Sequence, residues 1–181
     1  KDLVPFTKEK ALEAMLNDKF ATVSACAKLY HRSILETVPF PVGKIYEDFY
    51  VVGQHLALAD KIVISPLETY NYYRREGSIV RSIFTEKRYE FFDAVAKNEE
   101  VVRKEYIQNE ELLQSLQEKK ILGGFVVIGA KADSGLKDFS KDKELLKVEM
   151  SELLKNSKLS WKVKLKYLIF MFSPKLYLLL R

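Results

Sequence analysis

Two adjacent carboxylates, Glu47 and Asp48, follow a loop that contains Pro39, Pro41 and Gly43. The loop residues break regular structure, so we expect a helix to begin at the acids and to run to about residue 59. Backbone N–H groups at a helix start can hold one carboxylate ionised and aimed, which is what a general base requires. Acids also cap helices without any catalytic role, so the pair alone leaves both interpretations open.

A second candidate lies at residues 70–79, where Arg74 and Arg75 precede a Gly-Ser pair. Guanidinium groups bind phosphate oxygens in a bidentate fork, so two adjacent arginines could hold a diphosphate. A solvated strand end, with tyrosines packing on a sheet, is the alternative.

The residues that most often bind metals show no ligand-like spacing. Cys26 is the single cysteine, which excludes an intramolecular disulfide and fits a reducing compartment. We expect Cys26 to be a packed core side chain and the two histidines, His31 and His55, to be structural or surface residues. No metal ligands are predicted in this chain.

Three stretches, in order and spacing, resemble family 2 glycosyltransferases of bacterial polysaccharide assembly. They are KLYHRSIL at residues 28–35, FP with IYED within residues 40–48, and REGSI at residues 75–79. The resemblance spans about residues 24–79, a third of the chain. It implies a GT-A fold and a hexosyltransferase-type enzyme that inverts the configuration at the anomeric carbon of the transferred sugar. The donor would be a nucleotide-sugar and the acceptor a glycan or lipid-linked saccharide.

The resemblance also implies a role for individual residues. Asp48 would be the base that takes the proton of the acceptor hydroxyl, and Glu47 would shape the acceptor pocket. Arg75 and Arg74 would lie near the donor diphosphate, and Lys28 near the active-site cleft.

The chain departs from the family pattern in two places. Cys26-Ala27 stands where an aromatic-Asn pair often precedes Lys-Leu-Tyr, and no Asp-x-Asp motif occurs before residue 21. The first residue is not Met, which indicates a cut inside a longer protein. We therefore expect the C-terminal part of an enzyme that is inactive alone and prone to self-association. The full-length enzyme would use Mn²⁺ or Mg²⁺, and this chain would bind no metal.

The elements that must position these residues change in type along the chain. Thr7 could cap a helix through residue 17, residues 21–30 could contain a strand, and residues 61–65 read as a buried strand. After residue 85 the apolar spacing of three and four predicts one long amphipathic helix, or two with a break near Asn98. Residues 121–130 leave helix and strand open, and we prefer helix because an isolated strand would have no partner. Residues 143–155 are predicted to be helical again. The predicted fold is a partial GT-A-like α/β region over 1–84, followed by a mainly α-helical region over 85–181.

The C-terminal segment carries most of the positive charge. Residues 155–181 contain seven basic residues and no acid, so removing them from the net charge of +5 leaves −2 for the preceding chain. This pattern does not fit a nucleic-acid binder. Trp161, Leu165, Leu168 and Phe172 form an apolar stripe that is too short to span a bilayer.

We expect residues 158–181 to be a basic amphipathic tail on an anionic membrane, at the cytoplasmic face. A C-terminal helix packed on the body is the alternative for this tail. The alternative function for the whole chain is a non-enzymatic, membrane-associated helical interaction module.

Overall fold

The computed structural model describes residues 3–19, 21–68, 70, 71, 73, 84–107 and 109–181. Helices dominate this part of the chain, and its strands form one short antiparallel pair. The helices and strands are, in chain order, β1 (Val4–Phe6), α1 (Lys8–Leu16), α2 (Arg32–Thr37), α3 (Glu47–Leu58), β2 (Ile62–Ile64), α4 (Glu90–Glu105), α5 (Glu110–Asp133), α6 (Ser140–Leu146), α7 (Met150–Lys155), α8 (Trp161–Phe172) and α9 (Pro174–Leu179). A 3-10 helix at Glu86–Tyr89 leads directly into α4.

The small sheet pairs β1 with β2, so that Val4 lies opposite Ile64. The strand predicted at residues 61–65 is confirmed. The prediction that this strand is buried is wrong, because Val63 is 42% exposed. Residues 21–30 form turns and loop rather than the predicted strand, and Ala27 has a left-handed φ of 58° that interrupts extended backbone. The described residues therefore do not form the sheet of the predicted GT-A-like α/β region.

Four helices build the centre of the molecule: α3 packs on α4, α4 on α5, and α1 on both α3 and α5. The predicted cap of α1 is confirmed, since Thr7 Oγ1 accepts a hydrogen bond from the Lys10 N–H at 3.3 Å. The predicted apolar side of α1 is also confirmed, because all four of its members are buried: Ala11, Leu12, Met15 and Leu16. Helices α3 and α4 pack together across the predicted domain boundary at residue 84. The boundary itself stays a prediction.

The break between the two long helices lies later than the sequence predicted. Helix α4 runs through Asn98 without interruption and ends at Glu105. Ile107 then takes a φ of 51°, and Asn109 caps α5 by accepting a hydrogen bond from the Leu112 N–H at 3.1 Å. This turn and cap set the position of the break. No break occurs at Asn98, because its side chain is buried and bonds to α3 from within the continuous helix α4.

Helix α5 confirms the preference for helix at residues 121–130, and its glycines have a packing role. A Cβ on Gly123 would lie 2.2 Å from Phe91 Cζ, and one on Gly124 would lie 2.4 Å from Leu146 Cδ1. Such contacts are closer than van der Waals packing permits. The paired glycines thus allow α5 to approach the aromatic side chains of α4 despite their low helix propensity.

The C-terminal part is helical, as predicted, but more divided. The single helix expected over residues 143–155 is two, because α6 ends at Leu146 and α7 begins at Met150. Residues 156–160 also separate α7 from α8, so the lysines of residues 155–166 do not share one helical face. The predicted break at Ser173-Pro174 is confirmed, and Ser173 Oγ caps α9 by accepting from the Leu176 N–H at 3.2 Å.

A buried ion pair joins α5 to α6. Lys131 Nζ donates to Asp142 Oδ2 at 2.6 Å and to the Tyr89 hydroxyl at 2.8 Å. The Tyr89 hydroxyl in turn donates to Asp142 Oδ2 at 3.1 Å, and the other Asp142 oxygen has no hydrogen-bond partner among the described residues. Burial raises the pKa of Tyr89, and the nearby Lys131 opposes that shift.

Candidate functional site

The predicted acid pair stands at the N-terminus of α3, where the sequence placed it. Glu47 and Asp48 are the first two residues of the helix, and both are partly buried. Asp48 Oδ1 accepts a hydrogen bond from the Phe49 N–H at 2.7 Å, and no described residue bonds to its Oδ2. The helix start therefore holds one carboxylate oxygen and leaves the other available to a ligand.

The loop that precedes α3 is fixed from the α4 side. Gly43 takes a φ of 81°, which only glycine adopts without strain, and its carbonyl accepts from Lys87 Nζ at 3.2 Å. The Ile45 N–H donates to Glu90 Oε2, in the first turn of α4, at 2.9 Å. These contacts fix the direction in which the chain enters α3 and so the direction of the acid pair.

Asn98 fastens the first turns of α3 to α4. Its Oδ1 accepts from the Gly53 N–H at 3.0 Å, while its Nδ2 donates to the carbonyls of Phe49 at 2.6 Å and Ala94 at 2.8 Å. Only 1% of Asn98 is exposed, so these bonds form away from water. Because Phe49 directly follows Asp48, Asn98 fixes the backbone that carries the carboxylate.

Two residues of the loop at 21–30, Lys28 and Tyr30, form the wall nearest to the Asp48 charge. Burial raises the pKa of Tyr30, and the nearby Asp48 charge raises it further. Burial lowers the pKa of Lys28, while Asp48 opposes that shift. Both side chains therefore lie within the electrostatic reach of Asp48. The structure thus brings the predicted residues Lys28 and Asp48 together.

The Lys28 ammonium is occupied by its own loop. Its Nζ donates to the Thr22 carbonyl at 2.6 Å and also to the Ser24 carbonyl. Lys28 thus closes the turn of residues 22–28 and carries a positive charge beside the acid pair. These contacts fix the loop that the resemblance placed at the active-site cleft.

An aromatic cluster supports this wall from behind. The rings of Tyr30, Phe40 and His55 meet edge to face, with His55 centred 5.2 Å from each of the other two. His55 Nε2 lies 2.7 Å from the Val38 carbonyl, which it reaches as a donor. Burial lowers the pKa of His55, and this hydrogen bond opposes the shift. His55 is structural, consistent with its predicted role, whereas His31 is exposed.

Cys26 lies at the rim of this region rather than in the core, because the side chain is exposed. The expectation of a packed core thiol is therefore wrong. A hydrogen bond from the Tyr70 side chain lowers the pKa of Cys26, and the Asp48 charge opposes that shift. The predicted diphosphate ligands Arg74 and Arg75 lie outside the described residues.

The described residues do not fit the divalent metal that the resemblance implies for the full-length enzyme. Across the described ranges, no three His, Cys, Asp or Glu side chains come close enough to share a metal ion. Glu47 and Asp48 are two carboxylates, and no described residue adds a third His, Cys, Asp or Glu beside them. Metal binding is therefore not assigned to this part of the chain.

Sequence reasoning missed two residues that hold the site, Asn98 and Glu90. Asn98 lies between buried positions of α4, with Val95 before it and Val101 after it. A polar residue on an apolar helix face was the available signal, because such a residue needs a hydrogen-bond partner across the interface. Nothing in the sequence linked Glu90 to the loop before α3, since the two are separated by 45 positions.

The comparisons with known proteins give one partial relationship. A stretch of 79 residues, 44% of this chain, is 34% identical to the protein named Glycosyltransferase GlyA of Streptococcus pneumoniae serotype 4 (strain ATCC BAA-334 / TIGR4). The stretch covers 11% of that relative. No family model and no solved structure matches the chain. The similarity indicates a relationship to glycosyltransferases over part of the chain.

Proposed function

We propose that this chain is the acceptor-side part of an inverting, hexosyltransferase-type glycosyltransferase of family 2 with a GT-A catalytic domain. Asp48 is its general base. The observation that carries the proposal is the Asp48 carboxylate at the start of α3, with one oxygen held by the Phe49 N–H and the other without a partner among the described residues. The partial identity to a glycosyltransferase supports the reaction class.

The chemistry assigned to Asp48 is a single displacement. The acceptor hydroxyl oxygen attacks the anomeric carbon of the nucleotide-sugar while the bond from that carbon to the diphosphate oxygen breaks. The hydroxyl proton passes to Asp48 Oδ2, and the bonding electron pair leaves with the nucleoside diphosphate. Attack from the face opposite the leaving group inverts the anomeric centre.

The surrounding side chains position the acceptor and the base in this proposal. Glu47, one residue earlier on the same helix start, shapes the acceptor pocket. Asn98 and Glu90 act through the backbone of α3 and its entry loop, so they are positioning residues. Lys28 fixes the opposite loop through its own carbonyl contacts and keeps a positive charge near Asp48.

The donor site belongs mainly to the remainder of a longer protein in this proposal. Arg74 and Arg75 are the residues of this chain assigned to the donor diphosphate. The chain alone is accordingly expected to transfer no sugar and to bind nucleotide-sugars weakly. Calorimetry with UDP-sugars and Mn²⁺ measures this, and micromolar binding by the 181-residue chain would contradict the assignment of the donor site.

The reaction class is tested on the full-length protein. The protein is incubated with a panel of nucleotide-sugars and saccharide or lipid-linked acceptors, and the product is examined by proton NMR. We expect a new glycosidic bond whose anomeric configuration is opposite to that of the donor. A product that retains the donor configuration would contradict the single displacement at Asp48. A full-length protein that transfers no sugar to any acceptor would favour the non-enzymatic alternative.

A further inference from the structure

The outer face of α8 is apolar and has no covering element in the described structure. Trp161, Leu165 and Phe172 are separated by four and seven residues, which places them on one side of the helix. Their exposed fractions are 69%, 47% and 86%. Helix α8 therefore has two apolar sides. One packs on the body of the molecule, and the other, which carries Trp161, Leu165 and Phe172, is exposed.

The inner side of α8 is fixed by burial. Tyr167 and Phe170 are buried, and Phe170 meets Phe125 of α5 and Tyr177 of α9 edge to face. The alternative interpretation, a C-terminal helix packed on the body, thus describes one face of α8 only. The exposed face cannot turn inward without withdrawing Phe170 from the core.

Helix α9 continues the outer face. An open groove of about 320 Å³ runs between the two helices and is lined by Trp161, Leu165 and Leu180, together with Lys162. Leu179 is 77% exposed. The apolar surface of Trp161 and Leu165 therefore continues across the groove to Leu180, at the end of α9.

Positive charge surrounds this patch. Lys162 and Lys175 are exposed, and neither pairs with a carboxylate among the described residues. Lys158 pairs with Glu13 and Arg181 with Asp133, so those two charges are partly neutralised. Residues 156–181 contain no acid at all. A partner for this surface must be apolar and negatively charged.

We propose that the outer face of α8 and α9 docks the chain flat on an anionic phospholipid surface. A tryptophan and leucines flanked by lysines is the composition of an interfacial helix, whose apolar side enters the headgroup boundary while its lysines meet lipid phosphates. Among the described residues, no helix is long and apolar enough to cross a bilayer. Docking of this kind keeps the body outside the membrane and is independent of the proposed glycosyl transfer.

The single tryptophan of the chain, Trp161, makes the test direct. The intact chain is mixed with phosphatidylcholine vesicles that contain either no phosphatidylglycerol or one quarter phosphatidylglycerol. We expect co-sedimentation and a blue shift of tryptophan emission with the anionic vesicles. Binding should weaken as salt is raised and yet not vanish, because salt screens only the electrostatic part.

Two variants separate charge from apolar contact. Lys162→Gln with Lys175→Gln should lower the partition coefficient about fivefold per lysine, and the control Lys10→Gln with Lys137→Gln should leave it unchanged. Leu165→Ser with Phe172→Ser should abolish the emission shift.

For the apolar variant, Ile107→Ser is the control, because it removes an apolar side chain that is 94% exposed on another surface. Equal partitioning of the wild type and both tail variants would overturn the proposal. A second result would also overturn it: the chain binds no vesicles and sediments as a dimer, and the variant Leu165→Ser with Phe172→Ser is monomeric. A second copy of the chain would then cover this face.

Discussion

Replacing Asn98 tests how α3, and with it Asp48, is held on α4. Asn98→Ala removes three buried hydrogen bonds, each with a net stabilisation of about 1 kcal/mol. Gly53 and Phe49 are four residues apart on α3, so the intrahelical bond between the Gly53 N–H and the Phe49 carbonyl can satisfy both groups in the variant and limit the loss. We expect Asn98→Ala to lower the free energy of unfolding by about 2–3 kcal/mol.

The nearly isosteric variant Asn98→Asp should lower the free energy of unfolding more than Asn98→Ala does. It keeps the acceptor for the Gly53 N–H but points a buried carboxylate at the carbonyls of Phe49 and Ala94, where Nδ2 now donates. An uncompensated buried charge costs about 3–5 kcal/mol. The loss should shrink as the pH falls and the new carboxyl group becomes protonated.

Urea unfolding followed by circular dichroism measures these differences. Glu100→Gln, at an exposed position on the same helix, is the control and should change the free energy of unfolding by less than about 0.5 kcal/mol. Asn98→Asp with stability equal to or above that of Asn98→Ala at pH 7 would refute the inferred bonding of the amide.

Two further predictions concern buried ionisable groups. Lys131→Met or Asp142→Leu alone should cost about 3–5 kcal/mol, because each leaves a buried charge unpaired, whereas the double variant should cost well below the sum. A double-mutant cycle by urea unfolding measures this coupling, and additive losses would contradict it. Because burial lowers the pKa of His55, the folded state favours the neutral ring, and stability should fall as the pH drops below about 6.5. Thermal unfolding of His55→Phe between pH 7.5 and 5 should show a smaller decline than the wild type, and identical declines would refute this.

The sequence predicted the start of α3 and the cap of α1 correctly because both depend on local signals. Pro41 and Gly43 break the chain before the acids, and the hydroxyl of Thr7 is a strong N-cap. The break at Ser173-Pro174 belongs to the same class, since Pro is favoured at the first helical position. Elements whose ends are set by a few adjacent residues are thus readable from the chain alone.

The rest depended on contacts between distant residues. Apolar residues 21–30 suggested a strand, but a strand needs a neighbour for its backbone bonds, and Lys28 instead closes a turn there. A helix break near Asn98 was one of two interpretations left open. Local signals could not decide between them, because the partner that binds the Asn98 side chain on α3 is 45 positions away. For the site, the positions of Glu47 and Asp48 on α3 were predictable from local signals. The wall formed by Tyr30 and its neighbours was not, because it arises from packing.

The measurement that most directly tests the central claim is the transfer rate of Asp48→Asn in the full-length protein, with donor affinity measured in parallel. Asparagine keeps the shape of the side chain but cannot take the acceptor proton. We expect the folded variant to bind the donor normally and to lose about 10²–10⁴ in kcat, while Glu47→Gln loses less. Near-wild-type turnover by a folded Asp48→Asn protein would contradict the assignment of Asp48 as the general base.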